Sequence, residues 1–381
     1  TADLRARYTS ARVIDARGKV VLPGFVDCHT HAVFAGDRLD DFESRIGGRT
    51  YMEILAAGGG IMSTVRHTRA APADALYGLA RARLDAMLQA GTTTAEIKTG
   101  YGLDLAAELK MYEVIARLDR EHAMQILPTF LGAHTIPPEF PSAEAYLAHV
   151  IDEMLPAIMS AHAASHFATA GVPLAVDIFC EQGVFSRAQM ERLLMAARDQ
   201  YGQPIKAHVD EFVNLGGVPA AVALGAWSVD HLDVTPADEL ALLAGSETVG
   251  VFLPAVNFNL GSTHYGSART LVDQGGILAL STDLNPGSAP TPSLPMVMAI
   301  ACRYQKLLPA EALNAITINA AAALRLHGAV GSIEVGKGAD FALFETDDYR
   351  ALAYDFGSTS AEMVVVKGDV QWNRSSSMAS I

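Results

Sequence analysis

The chain has 381 residues and a formal net charge of −14; half of its residues are hydrophobic and 18% are charged. This length exceeds one average domain and suits a large α/β barrel with a small additional domain. The acidic balance, without any stripe of lysine and arginine, argues against nucleic acid and against an anionic membrane surface. No apolar run reaches the roughly 18 uninterrupted residues of a membrane span, so we predict neither kind of partner.

The cysteines and the first residues bear on the compartment. Cys28, Cys180 and Cys302 are odd in number and widely spaced, which is typical of a reducing compartment, so we expect a cytoplasmic protein. The opening residues lack the apolar core of a signal peptide. Because the chain opens on Thr1 and not on Met, we expect its beginning to be missing.

The first strong pattern is an apolar strand, predicted over 21–26, that leads into His29 and His31. Alternate side chains of an extended segment share a face, so both imidazoles point the same way. Two imidazoles at a strand end can form half of a metal site. A histidine pair there is also a common structural feature, so the spacing alone leaves both interpretations open.

Residues 38–60 follow without clear periodicity and include three consecutive glycines, which is typical of a functional loop. Beyond them, helical and strand patterns alternate, as in a parallel sheet. The residues around 72–90 predict a helix, Ser186 and Gln189 predict a capping box, and Thr235 predicts an N-cap followed by proline. The further strands are predicted near 92–97, 126–131, 174–179, 204–209, 226–231, 248–254 and 277–282.

Eight strands spread over about 260 residues are the expected content of a (β/α)8 TIM-like barrel. After residue 325 the pattern changes to short alternating segments separated by glycine-containing turns, in 330–345 and 361–372. Such segments predict antiparallel strands. The sequence therefore predicts an α/β protein with a small β-sandwich domain after the barrel.

In such a barrel the chemistry lies at the carboxyl ends of the strands. This chain places His29 and His31 after the first strand, His208 after the fifth, His231 after the sixth and Asp283 after the eighth. A lone buried histidine is more often structural, but five residues at these strand ends can converge on one point. Three imidazoles and a carboxylate suit one Zn²⁺ or Fe²⁺ ion with a position left for water.

The run from Pro23 to His31, together with His208-x-x-Glu211, His231 and Asp283, resembles the mononuclear branch of the amidohydrolase superfamily. The binuclear branch carries a modified lysine after the fourth strand, and 176–181 contains none. The resemblance implies that the N-terminal segment completes the sandwich. It divides the chain into 1–20, a truncated first part of the sandwich, the barrel over 21–325, and the rest of the sandwich and a tail over 326–381.

Four further segments, 34–38, 96–104, 129–134 and 282–288, resemble the imidazolonepropionases, a family of amidohydrolases in histidine degradation. The resemblance extends from Val20 to about Trp372. It implies metal ligation by His29, His31, His208 and Asp283. It also implies substrate contacts by Arg38, Tyr101, His134, Glu211, Asn285, Gly287 and Ser288, the last of which is often threonine in the family.

The family resemblance implies a reaction as well. One divalent ion, Zn or Fe, would activate water to open the ring of 4-imidazolone-5-propanoate, a small anionic heterocycle, to N-formimidoyl-L-glutamate. Asp283, His231 and Glu211 would share the proton transfers, in an order that the sequence leaves open. A homodimer is expected by analogy with the family.

Two other functions remain open at this point. A deaminase of an aminated heterocycle would use the same metal set, but it would not need Arg38 to bind a carboxylate. A non-catalytic scaffold is the alternative from another class, although such proteins typically lose ligands. Taken singly, Arg38 can be a solvated charge, Tyr101 a packing aromatic and Asn285 part of a turn.

Overall fold

The computed structural model describes residues 7, 13–50, 53–54, 57–357 and 360–375. Parts of the predicted segments 1–20 and 326–381 therefore lie outside the described residues. Eight parallel strands form one sheet in chain order, and four antiparallel strands form a second sheet. A parallel bridge between Thr30 and Leu284 brings the last strand of the large sheet back to the first. The predicted α/β barrel is confirmed.

The eight barrel strands are short and almost entirely buried, as expected when helices cover a parallel sheet. They are β2 Phe25–Asp27, β3 Thr92–Lys98, β4 Gln125–Ala133, β5 Ala175–Cys180, β6 Lys206–Val209, β7 Ser228–His231, β8 Val249–Phe252 and β9 Leu278–Leu280. Each pairs in parallel with the next one along the chain. Their carboxyl ends therefore meet at one end of the barrel.

The prediction of a single strand over 21–26 is wrong. Two strands occupy this segment, because the chain passes from the small sheet to the barrel at Gly24. Strand β1, Val20–Pro23, pairs antiparallel with Phe341–Phe344, whereas Phe25–Asp27 pairs with the barrel. A β-carbon on Gly24 would lie 2.2 Å from Thr93 Oγ1, so only glycine fits at this crossing. The sequence pattern did not reveal the break because apolar residues run through both strands.

The small sheet joins the two ends of the chain in the order β1-β10-β11-β12, with β10 Phe341–Phe344, β11 Met363–Val366 and β12 Asp369–Asn373. Within the described part of the chain these strands form one layer. The rings of Phe25 and Phe344 stack with their centroids 5.6 Å apart, and this contact packs the small sheet against the barrel. The division of the chain into domains at residues 20 and 325 stays a prediction.

Helices surround the barrel and connect its strands. They are α1 Leu39–Ile46, α2 Ile61–Ala70, α3 Ala73–Gln89, α4 Leu105–Glu121, α5 Ala143–His149, α6 Leu155–Ala163, α7 His166–Thr169, α8 Arg187–Tyr201, α9 Gly217–Ala223, α10 Ala237–Ala244, α11 Pro254–Leu260, α12 Ala268–Asp273, α13 Leu294–Tyr304, α14 Pro309–Ala315, α15 Ile318–Ala323 and α16 Ala351–Tyr354, with a π-helical turn at Val150–Met154. Among the described residues, no helix has the length and apolar character needed to cross a membrane.

Two local predictions about helices were wrong and one was confirmed. The capping box of Ser186 and Gln189 is present at the start of α8. Helix α10 begins at Ala237 with Pro236 as its N-cap residue, because the Thr235 hydroxyl donates to Asp210 instead of capping the helix. The segment 38–60 is not all loop, since it contains α1, in which Leu39, Phe42 and Ile46 recur at helical spacing but remain exposed.

Candidate active site

The five predicted strand-end residues converge at the carboxyl end of the barrel, and all are buried. The Nε2 atoms of His29 and His31 each lie 3.3 Å from Asp283 Oδ1. The ring of His208 is 4.4 Å from that of His29 and 5.3 Å from that of His231, measured between centroids. The strand order therefore brings residues more than 250 positions apart in the sequence into one cluster.

The backbone at two of these residues adopts a conformation that side-chain-bearing residues rarely use. The φ angles are +85° at His231 and +50° at Asp283. Positive φ at such residues costs about 1–3 kcal/mol and tends to occur at functional sites. Here it turns the chain directly at the strand ends, and the Asp283 N–H donates to the His29 carbonyl, which locks the turn beside the histidines.

The cluster fits a divalent cation. Ligand atoms of His29, His31 and His208 lie within 4.8 Å of one another, as do those of His29, His231 and Asp283. Three buried atoms have no hydrogen-bond partner among the described residues: His29 Nε2, His208 Nε2 and Asp283 Oδ1. Buried polar atoms are nearly always satisfied, so these inward-facing imidazoles and carboxylate have the chemistry of a metal site.

Two aspartates on the barrel interior orient the histidines from behind. Asp230 Oδ2 accepts a hydrogen bond from His29 Nδ1 at 2.7 Å, and Asp177 Oδ2 lies 3.1 Å from His208 Nδ1. Carboxylates that hold the far nitrogen of a ligating histidine fix its ring orientation and its tautomer. Burial opposes ionisation of Asp230, but Lys206 and His29 hold its pKa below the usual range.

Below this layer lies a buried charge network of Glu96, Lys98, Asp177, Lys206 and Asp230. Lys98 Nζ is 2.7 Å from Asp177 and 3.1 Å from Glu96. Lys206 Nζ is 2.7 Å from Glu96 and donates to the Cys28 carbonyl at 3.0 Å. These ammonium groups pair with the acidic side chains, so the nearby trio of His29, Glu96 and Asp230 is part of an ion-pair network and not a second cation site.

A cavity of about 590 Å³ opens beside the cluster. Every substrate-contacting residue that the resemblance implied lines this cavity, and these residues are Arg38, Tyr101, His134, Glu211, Asn285, Gly287 and Ser288. His31, His208, His231 and Asp283 line it too, so the metal-type cluster faces the same space. The cavity is large enough for a small heterocycle with a short side chain.

His134 and Tyr101 form one wall of the cavity. The His134 ring stacks on His31 with centroids 5.0 Å apart, and Tyr101 is 5.3 Å from His134. His134 Nδ1 donates to the Gly100 carbonyl at 3.0 Å, so the neutral ring presents Nε2 as an acceptor. Burial and the neighbouring His31 and His208 keep its pKa well below the ordinary histidine value, which favours that neutral form.

Glu211 faces the cavity from the loop after β6. Its Oε2 atom lies 3.8 Å from His231 Nδ1. Burial, reinforced by the negative charges of Asp283 and Asp233, raises the pKa of Glu211 well above the ordinary value. A carboxyl group in this environment can carry a proton near neutral pH and release it to a reacting group.

Asn285 organises the loop at the cavity floor. Its Oδ1 accepts hydrogen bonds from the backbone of Gly287 and Ser288, both at 2.8 Å, and its Nδ2 donates to the Asp283 carbonyl at 2.7 Å. The Asn285 side chain therefore stabilises the turn in which it lies, as expected from the interpretation of Asn285 as part of a turn. It shapes the loop that carries Gly287 and Ser288 beside Arg38.

Several further residues of the site were not predicted from the sequence. Arg45, Arg49, Phe179 and Glu181 also line the cavity. Arg45 and Arg49 lie in a segment without clear periodicity, whereas Phe179 and Glu181 lie at the end of the predicted strand 174–179, a position that could have indicated them. Asp177, Asp230, Glu96, Lys98 and Lys206 left a signal that can be read from the sequence. They are charged residues within predicted buried strands, where only an inward-facing polar network would explain them.

Glu108 supports the Tyr101 loop, and its replacement by glutamine is expected to raise KM several-fold with a smaller change in kcat. Its carboxylate accepts hydrogen bonds from the backbone of Gly100, Gly102 and Leu103 at 2.7–3.2 Å. Glutamine supplies only one acceptor oxygen, so part of this cradle is lost and Tyr101 is held less firmly. Steady-state kinetics checks this, and an equal fall in kcat with constant KM would contradict it.

Asp233 is expected to make stability depend on pH. Burial raises its pKa to about 7, and hydrogen bonds from Asn257 and Gly266 only partly offset this. Between its unfolded pKa near 4 and about 7 the folded state binds more protons, so stability should fall as pH rises through this window. Asp233→Asn should flatten that fall and be more stable than wild type at pH 8 by up to about 4 kcal/mol, since each unit of pKa shift corresponds to about 1.4 kcal/mol. Urea unfolding at pH 5 and pH 8 measures it; parallel curves for both proteins would contradict it.

The sequence pattern of the Amidohydrolase family matches residues 20–370. The chain is 52% identical over 369 residues to the imidazolonepropionase of Chloroflexus aggregans, covering 97% of this chain and 86% of that protein. It is 53% identical to the imidazolonepropionase of Herpetosiphon aurantiacus, with the same shares covered. A similar fold occurs in an adenosine deaminase from Xanthomonas campestris with bound zinc, at a TM-score of 0.70 and 20% identity over 98% of this chain and 85% of that one.

Proposed function

The chain belongs to the imidazolonepropionase family of the amidohydrolases, and we propose that it hydrolyses the cyclic amide bond of 4-imidazolone-5-propanoate to give N-formimidoyl-L-glutamate. One observation carries the proposal: four of the five strand-end residues and all seven substrate residues implied by the resemblance line one cavity, and the fifth, His29, belongs to the same cluster. Residues that merely packed the fold would not be expected to gather around a single space of this size.

We propose that His29, His31, His208 and Asp283 hold one divalent ion, Zn or Fe. Such an ion lowers the pKa of a bound water toward neutrality and so supplies a nucleophile. The support is the set of inward-facing nitrogen and oxygen atoms, several of them without a hydrogen-bond partner among the described residues. The choice between zinc and iron remains to be measured by metal analysis of the purified protein.

Proton transfer falls to the acidic residues beside the cluster. Asp283 is positioned to accept the proton of the attacking water, with its charge stabilised by His29 and His31, which hold its pKa low despite burial. Glu211, whose pKa is raised, is suited to protonate the departing ring nitrogen. His231 lies between the two carboxylates and orients the water. The pairing of one ionised and one protonated carboxyl group follows from their different surroundings.

The remaining cavity residues would orient the substrate. His134, as a neutral ring with Nε2 facing the cavity as an acceptor, would accept a hydrogen bond from a ring N–H. Tyr101 would donate its hydroxyl proton, because burial raises the pKa of that group and keeps it protonated. Arg38 and the backbone of Gly287 and Ser288 form the opposite wall, where the propanoate chain would lie.

The test is the loss of imidazolone absorbance with freshly made substrate and metal-replete protein, alongside His208→Ala. Turnover by wild type alone, with N-formimidoyl-L-glutamate as product, is the expected result. A metal-loaded wild-type protein that leaves the imidazolone intact but deaminates an aminated heterocycle would overturn the substrate assignment. A well-folded protein that binds no metal would instead favour the scaffold function.

Two further expectations remain predictions. A homodimer is expected by analogy with the family, and sedimentation velocity at micromolar concentration would measure the molecular mass. A cytoplasmic location is expected from the scattered cysteines, which all remain free thiols among the described residues. Neither expectation enters the chemistry proposed above.

A further inference from the structure

The cavity carries more positive charge on one side than the resemblance implied. Helix α1 and the residue before it place Arg38, Asp41 and Arg45 on one face, because residues three and four apart on a helix are neighbours. All three line the cavity, and Arg49 follows after the helix. The resemblance assigns only Arg38 to the substrate.

Arg38 is not a free cation in the substrate-free protein. Its Nε donates to Asp41 Oδ2 in a hydrogen-bonded ion pair, and both side chains are only 13% exposed. Asp41 Oδ2 also accepts the Gly60 backbone N–H at 3.0 Å, which fixes the carboxylate beside Arg38. A substrate carboxylate that approached Arg38 alone would therefore meet a guanidinium group whose charge is already balanced.

Arg45 lies on the same face one turn further along and differs in this respect. Among the residues that the structure describes, no carboxylate lies within ion-pair distance of it, and its buried Nε has no hydrogen-bond partner. Burial and the charge of Arg38 lower its pKa from the ordinary arginine value, and the Asp41 carboxylate, which is already paired with Arg38, only partly offsets this. Arg45 is half-buried whereas Arg49 is exposed, so Arg45 supplies the unbalanced positive charge in the partly buried part of this wall.

An unbalanced cation matters because the arginines that line the cavity all belong to one wall. They are Arg38, Arg45 and Arg49, within 38–49, whereas the histidine cluster faces the same space from the strand ends. A ring with an acidic side chain can pair its carboxylate with a guanidinium group only at the α1 wall, and this asymmetry sets the direction in which it enters. The ring would face the cluster and the carboxylate would face α1.

Resting on the proposed function, we propose that Arg45 is a specificity-determining residue that binds the carboxylate of the substrate, while Asp41 holds Arg38 in place beside it. Arg45 selects a heterocycle with an acidic side chain over the same heterocycle with a neutral one. The family resemblance implied only Arg38 as a cationic substrate contact. Because Asp41 already balances the charge of Arg38, the charge that distinguishes an acidic from a neutral side chain comes from Arg45.

The test compares two non-hydrolysable probes, 3-(imidazol-4-yl)propanoate and its uncharged propanamide, by calorimetric titration of metal-replete protein. Arg45→Met should weaken propanoate binding by about tenfold or more, since a charge-assisted hydrogen bond is lost. It should leave propanamide binding within about twofold. With the imidazolone substrate, the same variant should raise KM much more than it lowers kcat, and Arg45→Lys should recover part of the loss.

Arg81→Met is the matched control, because it makes the same change in net charge on the exposed face of α3, outside the cavity. It should bind both probes as wild type does. Equal weakening of both probes by Arg45→Met, or no weakening of either, would overturn the proposal. The two proposals fail separately: absent turnover by wild type refutes the reaction, whereas the ratio of the two probe affinities tests Arg45 whether or not turnover occurs.

Discussion

Asp283→Asn is expected to lower kcat by a factor on the order of 10³ or more while the protein remains folded. The carboxylate stands 3.3 Å from the Nε2 atoms of both His29 and His31, and its Oδ1 has no aligned hydrogen-bond partner among the described residues. It combines the positions of a ligand and of a proton acceptor. Asparagine keeps the shape but supplies neither the charge nor the basicity, and loss of general base catalysis alone typically costs 10²–10⁴-fold.

Two measurements separate these roles. Metal content, from elemental analysis of the purified variant, reports ligation, and kcat at saturating metal reports proton transfer. Asp340→Asn is a suitable comparison because Asp340 is also a buried carboxylate but lies beside the small sheet, where it accepts the Lys367 backbone N–H, and does not line the cavity. We expect it to keep kcat within about threefold. Full activity of Asp283→Asn would contradict the assignment of Asp283 to the reaction.

The positions of the strand-end residues could be predicted because a barrel with eight strands in sequential order has one consistent outcome. Once strands are counted, residues after the first, fifth, sixth and eighth strands must meet at one end. His29 and Asp283 are brought together by this topology alone. The prediction needed only the approximate strand positions, and errors of a few residues at strand boundaries did not affect it.

The parts that could not be predicted depend on individual contacts that the sequence pattern does not reveal. The crossing at Gly24 is set by the Thr93 side chain, which no pattern near residue 24 reveals. The tautomer of His134 is set by the Gly100 carbonyl, and the pairing of Arg38 with Asp41 is set by the course of α1. Each of these changes what a predicted residue does, although none changes where it lies.

Lys206→Met is expected to destabilise the protein by about 3–5 kcal/mol, the usual cost of removing one partner from a buried ion pair. The Lys206 side chain is fully buried, and its ammonium group lies 2.7 Å from Glu96. Burial opposes ionisation of Glu96, and the charges of Lys206 and Lys98 hold its pKa below the ordinary value. The network contains two cations and three anions. Without Lys206 it loses one cation, so the buried Glu96 carboxylate keeps only Lys98 as a nearby positive charge.

The pH dependence should identify charge as the cause. In Lys206→Met the folded-state pKa of Glu96 should rise above its unfolded value. The folded protein then binds more protons between these two pKa values, and its stability should fall as pH increases through that window. Urea unfolding midpoints at several pH values measure this, and wild type should lack the added slope because Lys206 keeps Glu96 ionised.

The double variant Lys206→Met with Glu96→Gln provides the control, since it removes one charge of each sign and returns the network to its original net charge. We expect it to recover a substantial part of the lost stability and to lose the added pH slope, while Lys98 keeps its 2.7 Å contact with Asp177. If the double variant were as unstable as the single one at every pH, lost packing around Lys206 would explain the effect. The recovery therefore decides whether the charges beneath the cluster stabilise the barrel as a balanced set.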